Sequence, residues 1–191
     1  MKLNLIMTEI ATHLNVPGGG IVLGTRPIAL RLKKEVHDTI IFNNNIKILT
    51  LDFTGVDVCD YSCVDEVIIE NQLYLKEHTN IFMYITNANK DVLGNLQSTI
   101  AWREKQGMKI HILYQYEGEF LVAGTLEDSL QKTFNIISAK KKITARELAD
   151  ILEIQINNAS NRLKKLFDSR LVLRTEQRDS MGMQHVYMLP E

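Results

Sequence analysis

The sequence predicts an α/β domain with a mixed sheet and helices, followed by a small α+β domain. Three observations lead there. Apolar strand-like runs alternate with helix-period segments as far as residue 114, and then the alternation stops. Over residues 143–189 a capped helix, a turn, a second helix and two alternating strands follow one another. Charge divides along the same line: residues 129–191 hold eleven Lys and Arg against seven Asp and Glu, residues 1–128 eleven against sixteen, for a net −1 overall. An acidic first part and a basic second part predict two modules with different partners.

Taken in order, residues 1–16 fit strand or helix equally well, and Pro17-Gly18-Gly19-Gly20 then breaks the chain direction. Residues 21–23 are a short apolar run. A helix is predicted over 27–42, with Pro27 in its first turn, where the missing N–H costs nothing. Ile28, Leu32, Val36 and Ile40 recur every four residues on one of its faces. Asn43-Asn44-Asn45 reads as a turn. Residues 46–53 (IKILTLDF) predict a buried strand, and 62–76 a helix with Val64, Val67, Ile68 and Leu75 inside. Residues 81–86 (IFMYIT) are a second strand. Residues 90–100 are a helix carrying Val92, Leu93, Leu96 and Ile100 on one face, and 110–114 (IHILY) a third strand. Such alternation implies βαβ units, hence parallel strands covered by helices. The segment 115–125, with two glycines, is the candidate boundary, giving domains 1–120 and 126–191. Leu126, Leu130, Phe134 and Ile137 form the apolar stripe of the next helix.

Several function classes are excluded. No apolar run reaches the ~18 residues that a membrane span needs, so no membrane partner is expected. The opening MKLNLIMTEI lacks the pattern of a secretory signal. Cys59 and Cys63 are too few for a disulfide framework or a structural zinc site and read as buried thiols in a reducing cytoplasm. His13, His37, His78 and His111 are scattered without metal-ligand spacing. Asp57, Asp60, Asp65 and Glu66 suggest a hard-cation site, but solvated acids at a helix start are the better expectation. No phosphate loop, dinucleotide fingerprint or nucleophile elbow occurs, so the sequence predicts no catalytic residue, no metal and no cofactor.

The junction after the first predicted strand reads Leu51-Asp52-Phe53-Thr54-Gly55-Val56-Asp57-Val58-Cys59-Asp60-Tyr61-Ser62-Cys63-Val64-Asp65-Glu66. A Leu-Asp-aromatic strand end, a Gly-hydrophobic turn and a Ser-hydrophobic-acidic helix opening resemble the STAS fold of sulfate transporters and anti-sigma-factor antagonists. More closely they resemble the STAS-like domain family of unknown function, over roughly residues 10–115. In the antagonists this loop carries Asp-Ser-Ser, whose first serine a partner kinase phosphorylates; the matching residues here are Asp60-Tyr61-Ser62. The resemblance therefore implies a partner-binding loop, with an ATPase-type kinase as one possible partner, and it places Tyr61 at the phosphoacceptor position. Ser62 reads first as the N-cap of the next helix and second as a phosphate site favoured by a helix N-terminus. Asp57, Asp60, Tyr61, Ser62 and Asp65 are the expected partner-binding set, for a protein or a small anion.

In the second domain Thr144-Ala145-Arg146-Glu147 is a capping box. Leu148, Ile151 and Leu152 are expected to face inward. The following helix, about 156–169, places Ala159, Leu163 and Leu166 inside and projects Asn157, Asn158, Asn161, Arg162 and Lys165. Strands over 171–176 and 184–189 flank a loop over 177–182. With these parts in this order the segment resembles prokaryotic winged helix-turn-helix regulators. Asn matches adenine through both amide groups, and Arg or Lys reaches guanine or phosphate. Asn157, Asn158 and Asn161 are expected on base edges, and Arg162 and Lys165 on bases and phosphates. Arg174 and Arg178 lie along the wing. Lys140-Lys141-Lys142 reads equally as a phosphate contact or a solvated linker. Glu153 and Arg170 stand where glycine is common, and a left-handed residue there costs ~1–2 kcal/mol.

The combined expectation is a cytoplasmic prokaryotic transcription regulator that is not an enzyme. A STAS-like domain senses a protein partner or ligand, and a winged helix binds double-stranded DNA as a homodimer. The alternative is a non-enzymatic scaffold, resembling an anti-sigma antagonist, whose winged helix binds protein.

Overall fold

The computed structural model describes residues 1–43, 45–179 and 182–190. It divides into two compact units, Met1–Gly124 and Thr125–Glu191.

The first unit is a mixed α/β structure. In chain order it contains β1 (Lys2–Ile6), α1 (Met7–His13), β2 (Val22–Leu23), α2 (Arg26–Phe42), β3 (Ile48–Asp52), β4 (Val58–Cys59) and α3 (Tyr61–Cys63). A π-helical turn (Val64–Ile69) joins α3 to α4 (Glu70–His78). There follow β5 (Phe82–Thr86), α5 (Lys90–Lys105), β6 (Ile112–Tyr116) and β7 (Glu119–Ala123). The main sheet has the order β1-β3-β5-β6-β7; its first three joins are parallel and its last is antiparallel. Each parallel crossover leads to the neighbouring strand. Right-handed crossovers between sequential neighbours send their helices to one face, and α2, the π turn and α5 do pack together. Leu49, Leu51, Met83, Ile85 and Ile112 join Leu32, Val36, Val67, Ile68, Leu96 and Ile100 in one core.

Several expectations are corrected here. Residues 1–16 divide into both a strand, paired parallel with β3, and a short helix. In α2 it is Ala29, with Leu32, Val36 and Ile40, that is fully buried, while Ile28 is half-buried. The helix expected from Ser62 starts at Tyr61 and passes through the π turn. The supposed boundary over 115–125 holds β7, so the first unit runs past residue 120. Glu117 (φ 51) and Gly118 (φ 83) make the tight turn between β6 and β7. Two successive positive φ values suit the right-handed strand twist, and a Glu-Gly pair does not announce them as Asn-Gly does. At Gly124 (φ 102) an added Cβ would strike the Ile110 carbonyl, so glycine is required there.

The second unit contains α6 (Asp128–Lys140), β8 (Lys142–Thr144), α7 (Ala145–Leu152), α8 (Ile156–Asp168), β9 (Leu173–Asp179) and β10 (Gly182–Met188). An antiparallel sheet of order β8-β10-β9 backs the helices. Leu130, Phe134, Ile137, Ile143, Leu148, Leu163, Leu166, Val186 and Tyr187 are buried. β8 is absent from the sequence expectation, because three residues show no alternation; Lys142 lies in it, paired with Met188. Ile151 is 43 % exposed, and Ala149 takes the inward place assigned to it. β9 and β10 extend into the loop expected over 177–182, whose Ser180 and Met181 lie outside the described residues, as does Asn44 of the Asn43-Asn44-Asn45 turn.

Two helix ends close in the same way. Glu153 adopts φ 52 and ψ 44, and the Ile154 N–H donates to the Ala149 carbonyl at 3.0 Å. Arg170 adopts φ 58, and the Leu171 N–H donates to the Leu166 carbonyl at 3.0 Å. Both closures need a left-handed residue, a place that glycine fills without strain. Replacing the exposed Glu153 with Gly is expected to raise unfolding stability by about 1 kcal/mol, measured by urea denaturation.

Candidate nucleic-acid interface and helix-start site

The exposed face of α8 follows from its neighbours. Thr144 caps α7: its hydroxyl accepts from the Glu147 N–H at 3.3 Å, while Glu147 Oε2 accepts from the Thr144 N–H at 2.7 Å. The Glu153 turn then redirects the chain into α8, whose Ala159, Leu163 and Leu166 are buried. Asn157, Asn158, Asn161 and Lys165 are therefore exposed, and Arg162 is half-buried. Gln155, at the N-cap, makes no side-chain cap hydrogen bond. Lys165 lies 3.6 Å from Glu127, which draws part of its charge toward α6. Arg174 stacks over the Phe167 ring at 4.2 Å, so it links β9 to α8. Arg178 pairs with Met183 far along the hairpin. From Arg174 to Arg178 every β9 residue is exposed, so this ribbon projects beyond the core.

The 56–66 loop of the first unit is strapped from three sides. β2 and β4 pair through Val22–Val58 and Leu23–Cys59. Asn89 Nδ2 donates to the Val56 and Asp57 carbonyls at 3.2 and 2.8 Å, and Asn95 Nδ2 to the Cys59 carbonyl at 2.9 Å. Asp60, not Ser62, is the N-cap: its Oδ1 accepts from the Cys63 N–H at 2.8 Å. Its Oδ2 accepts from the Thr25 N–H at 2.7 Å, at the entrance to α2, where Thr25 has φ 68. One carboxylate thus serves the starts of two helices. The helix begins one residue early because Asp60 is extended and its short side chain reaches back to the turn. Asp57 and Tyr61 are exposed and Ser62 is half-buried. Cys59 and Cys63 are buried and unbridged. A hydrogen bond with Cys63, and burial, push the Cys59 thiol well up, so neither geometry nor charge favours a reactive thiolate.

Asp65 and Glu66 are not solvated. Each is 7 % exposed and lies in a layer of ion pairs between helices. Asp65 Oδ1 takes Arg103 Nη2 at 2.8 Å, and Glu70 takes the same nitrogen at 2.7 Å. Glu66 takes Arg26 at 3.1 Å and Lys33 at 2.9 Å, and Lys33 lies 3.8 Å from Glu70. Arg26, Lys33 and Arg103 stand far from these acids in sequence and lie on other helices, so helix spacing alone gives no sign of them. Around Asp65 a cavity of about 390 Å³ is lined by Arg26, Tyr61, Ser62, Ser98, Thr99 and Trp102.

A second polar cluster lies at the carboxyl end of β3. Asp52 accepts from the Thr54 N–H (2.9 Å) and hydroxyl (2.6 Å), from Asn87 Nδ2 (2.9 Å) and from Asn4 Nδ2 (3.3 Å). Burial alone would push its carboxyl up; the hydrogen bonds outweigh that and hold it below the usual range.

No helix among the described residues is long and apolar enough to cross a membrane. No family model, curated protein or solved structure matches the chain.

Removing Arg103 leaves two acids facing each other with one partner gone. Arg103→Ala is expected to destabilise the first unit by about 3 kcal/mol, read by denaturation. Asp52 adds stability that is complete above its unfolded value of ~3.9 and is lost as the pH falls through its lower folded value. Asp52→Asn is therefore expected to flatten the loss of stability below about pH 4, followed by urea titration at a series of pH values.

Proposed function

We propose that this protein is a DNA-binding regulator, with a STAS-like first unit that senses a partner or ligand and a winged helix as the second. The exposed polar and basic face of α8 carries the reading: Asn157, Asn158, Asn161 and Lys165 point away from the core, with Arg162 beside them. Amide side chains match adenine edges, and guanidinium or ammonium groups match guanine or phosphate. The projecting hairpin, with exposed Arg174 and Arg178, suits the flanking backbone or minor groove. The excess of basic residues in 129–191 supports the same assignment. A single winged helix offers a small interface, so the protein binds paired half-sites as a homodimer. Partner binding at the 56–66 loop, with Tyr61 and Asp57 at its surface, changes operator affinity. The chain carries out no catalysis of its own in this reading.

A second reading, a protein-binding scaffold, draws on exposed Ile151 and Ile156 beside the same turn. Salt separates the two. DNA affinity is expected to fall steeply between ~50 and ~200 mM salt as counterions are released; a gel-shift series that shows no complex even at the lowest salt rejects the regulator. Asn158→Ala and Arg162→Ala are each expected to cost about 1–3 kcal/mol of specific binding if they touch bases. Unchanged discrimination between operator and random DNA would remove them from the base-reading set.

A further inference from the structure

The cavity beside α3 has the make-up of a binding site rather than a packing gap. Its walls include Tyr61 and Trp102, 57 % and 55 % exposed, large aromatic surfaces left open to solvent. Its lining also includes Asp65, which is more than nine-tenths buried and sits on a π-helical turn. Such turns collect at functional sites. Asp65 Oδ1 is taken by Arg103, whereas Oδ2 faces Arg26 Nη2 at 3.5 Å. That is beyond a good hydrogen bond, so Oδ2 keeps acceptor capacity at the cavity. Arg26 itself is largely exposed and has donors to spare. Ser62 and Ser98 add hydroxyls, while the Thr99 hydroxyl donates to the Asn95 carbonyl at 2.7 Å.

Charge narrows the ligand. Arg26, Lys33 and Arg103 already balance Asp65, Glu66 and Glu70. An added anion meets the buried acids, and an added cation meets the arginines. The site therefore takes a neutral, flat molecule with donors and an acceptor along one edge. The volume of about 390 Å³ admits a bicyclic ring.

We propose that this cavity binds a heterocycle with a guanine-type edge, a ring N–H between an amino group and a carbonyl. Asp65 Oδ2 accepts from the N–H, Arg26 donates to the carbonyl, and Tyr61 and Trp102 stack against the ring. The proposal rests on reading the first unit as the sensing half, and it names the ligand of that half. Guanine nucleosides and free pterins both present this edge.

Trp102 is the only tryptophan of the chain, so its fluorescence reports on the cavity. The full-length protein is titrated with guanosine by fluorescence and calorimetry, and with pterin by calorimetry. The expected result is saturable binding of at least one, with the responding compound naming the source. Tyr61→Ala, at an exposed position, is expected to weaken binding about tenfold through lost stacking. With guanosine as ligand, 1-methylguanosine, which lacks the ring N–H, is expected to bind at least about tenfold more weakly. Absence of binding by both compounds at about 1 mM overturns the proposal, as does equal affinity for 1-methylguanosine or for the Tyr61 variant. A normal DNA shift without binding of either compound overturns the cavity assignment and leaves the regulator standing. Binding without any DNA shift does the reverse.

Discussion

Asp65 and Glu66 lie on a turn that faces the helix layer, and their charges have to be met where water scarcely reaches. Three cations from two other helices meet them: Arg26 and Lys33 from α2 and Arg103 from α5. Removing such charges from water costs several kcal/mol per ion, and only good geometry offsets it. The network contributes orientation more than stability. It ties the π turn to α2 and α5, and Arg26 and Asp65, two of its members, also line the cavity beside Tyr61 and Trp102. Asp60 acts in the same sense a few residues earlier, by holding the Thr25 and Cys63 amides with one carboxylate. The backbone of the 56–66 loop is held by Asn89 and Asn95 as well.

The second unit solves a different problem with few residues. Its small core of aliphatic and aromatic side chains fixes α7 and α8 through two left-handed closures, at Glu153 and Arg170. Neither residue is glycine, so both closures carry strain that packing around them has to offset. The hairpin has exposed residues along much of β9 and is anchored at its base, by β8 pairing and by Arg174 on Phe167. Isolated two-stranded ribbons are marginal in water, so this anchoring supports the β9–β10 pairing.

Periodicity foretells the elements whose burial is one-sided. The inner faces of α5, with Val92, Leu93, Leu96 and Ile100, and of α8, with Ala159, Leu163 and Leu166, appear as the spacing requires. What periodicity misses is short or non-local. β8 has three residues, and β7 follows a turn whose Glu117 gives no warning of a positive φ. Asp65 and Glu66 look like solvent-facing acids because their cations come from residues forty or so positions away. The site is read less well than the fold for that reason. Asp57, Tyr61, Asn157, Asn158 and Asn161 are surface residues as a local pattern suggests, whereas Arg26, Ser98 and Trp102 enter the cavity only through the packing of three helices.

The order of the main sheet has a consequence for how the chain comes into being. Each strand of that sheet lies beside the one made just before it: β3 on β1, β5 on β3, β6 on β5, β7 on β6. Among the described residues, each later strand of that sheet adds to its growing edge and none inserts between two earlier ones. Domains form from the amino terminus as the chain emerges, and exposed strand edges are what make unfinished chains aggregate. Here the growing edge is covered by the next strand of the same sheet, with β2 and β4 pairing only with each other, and the short β6–β7 turn completes the sheet last, so assembly can follow synthesis step by step.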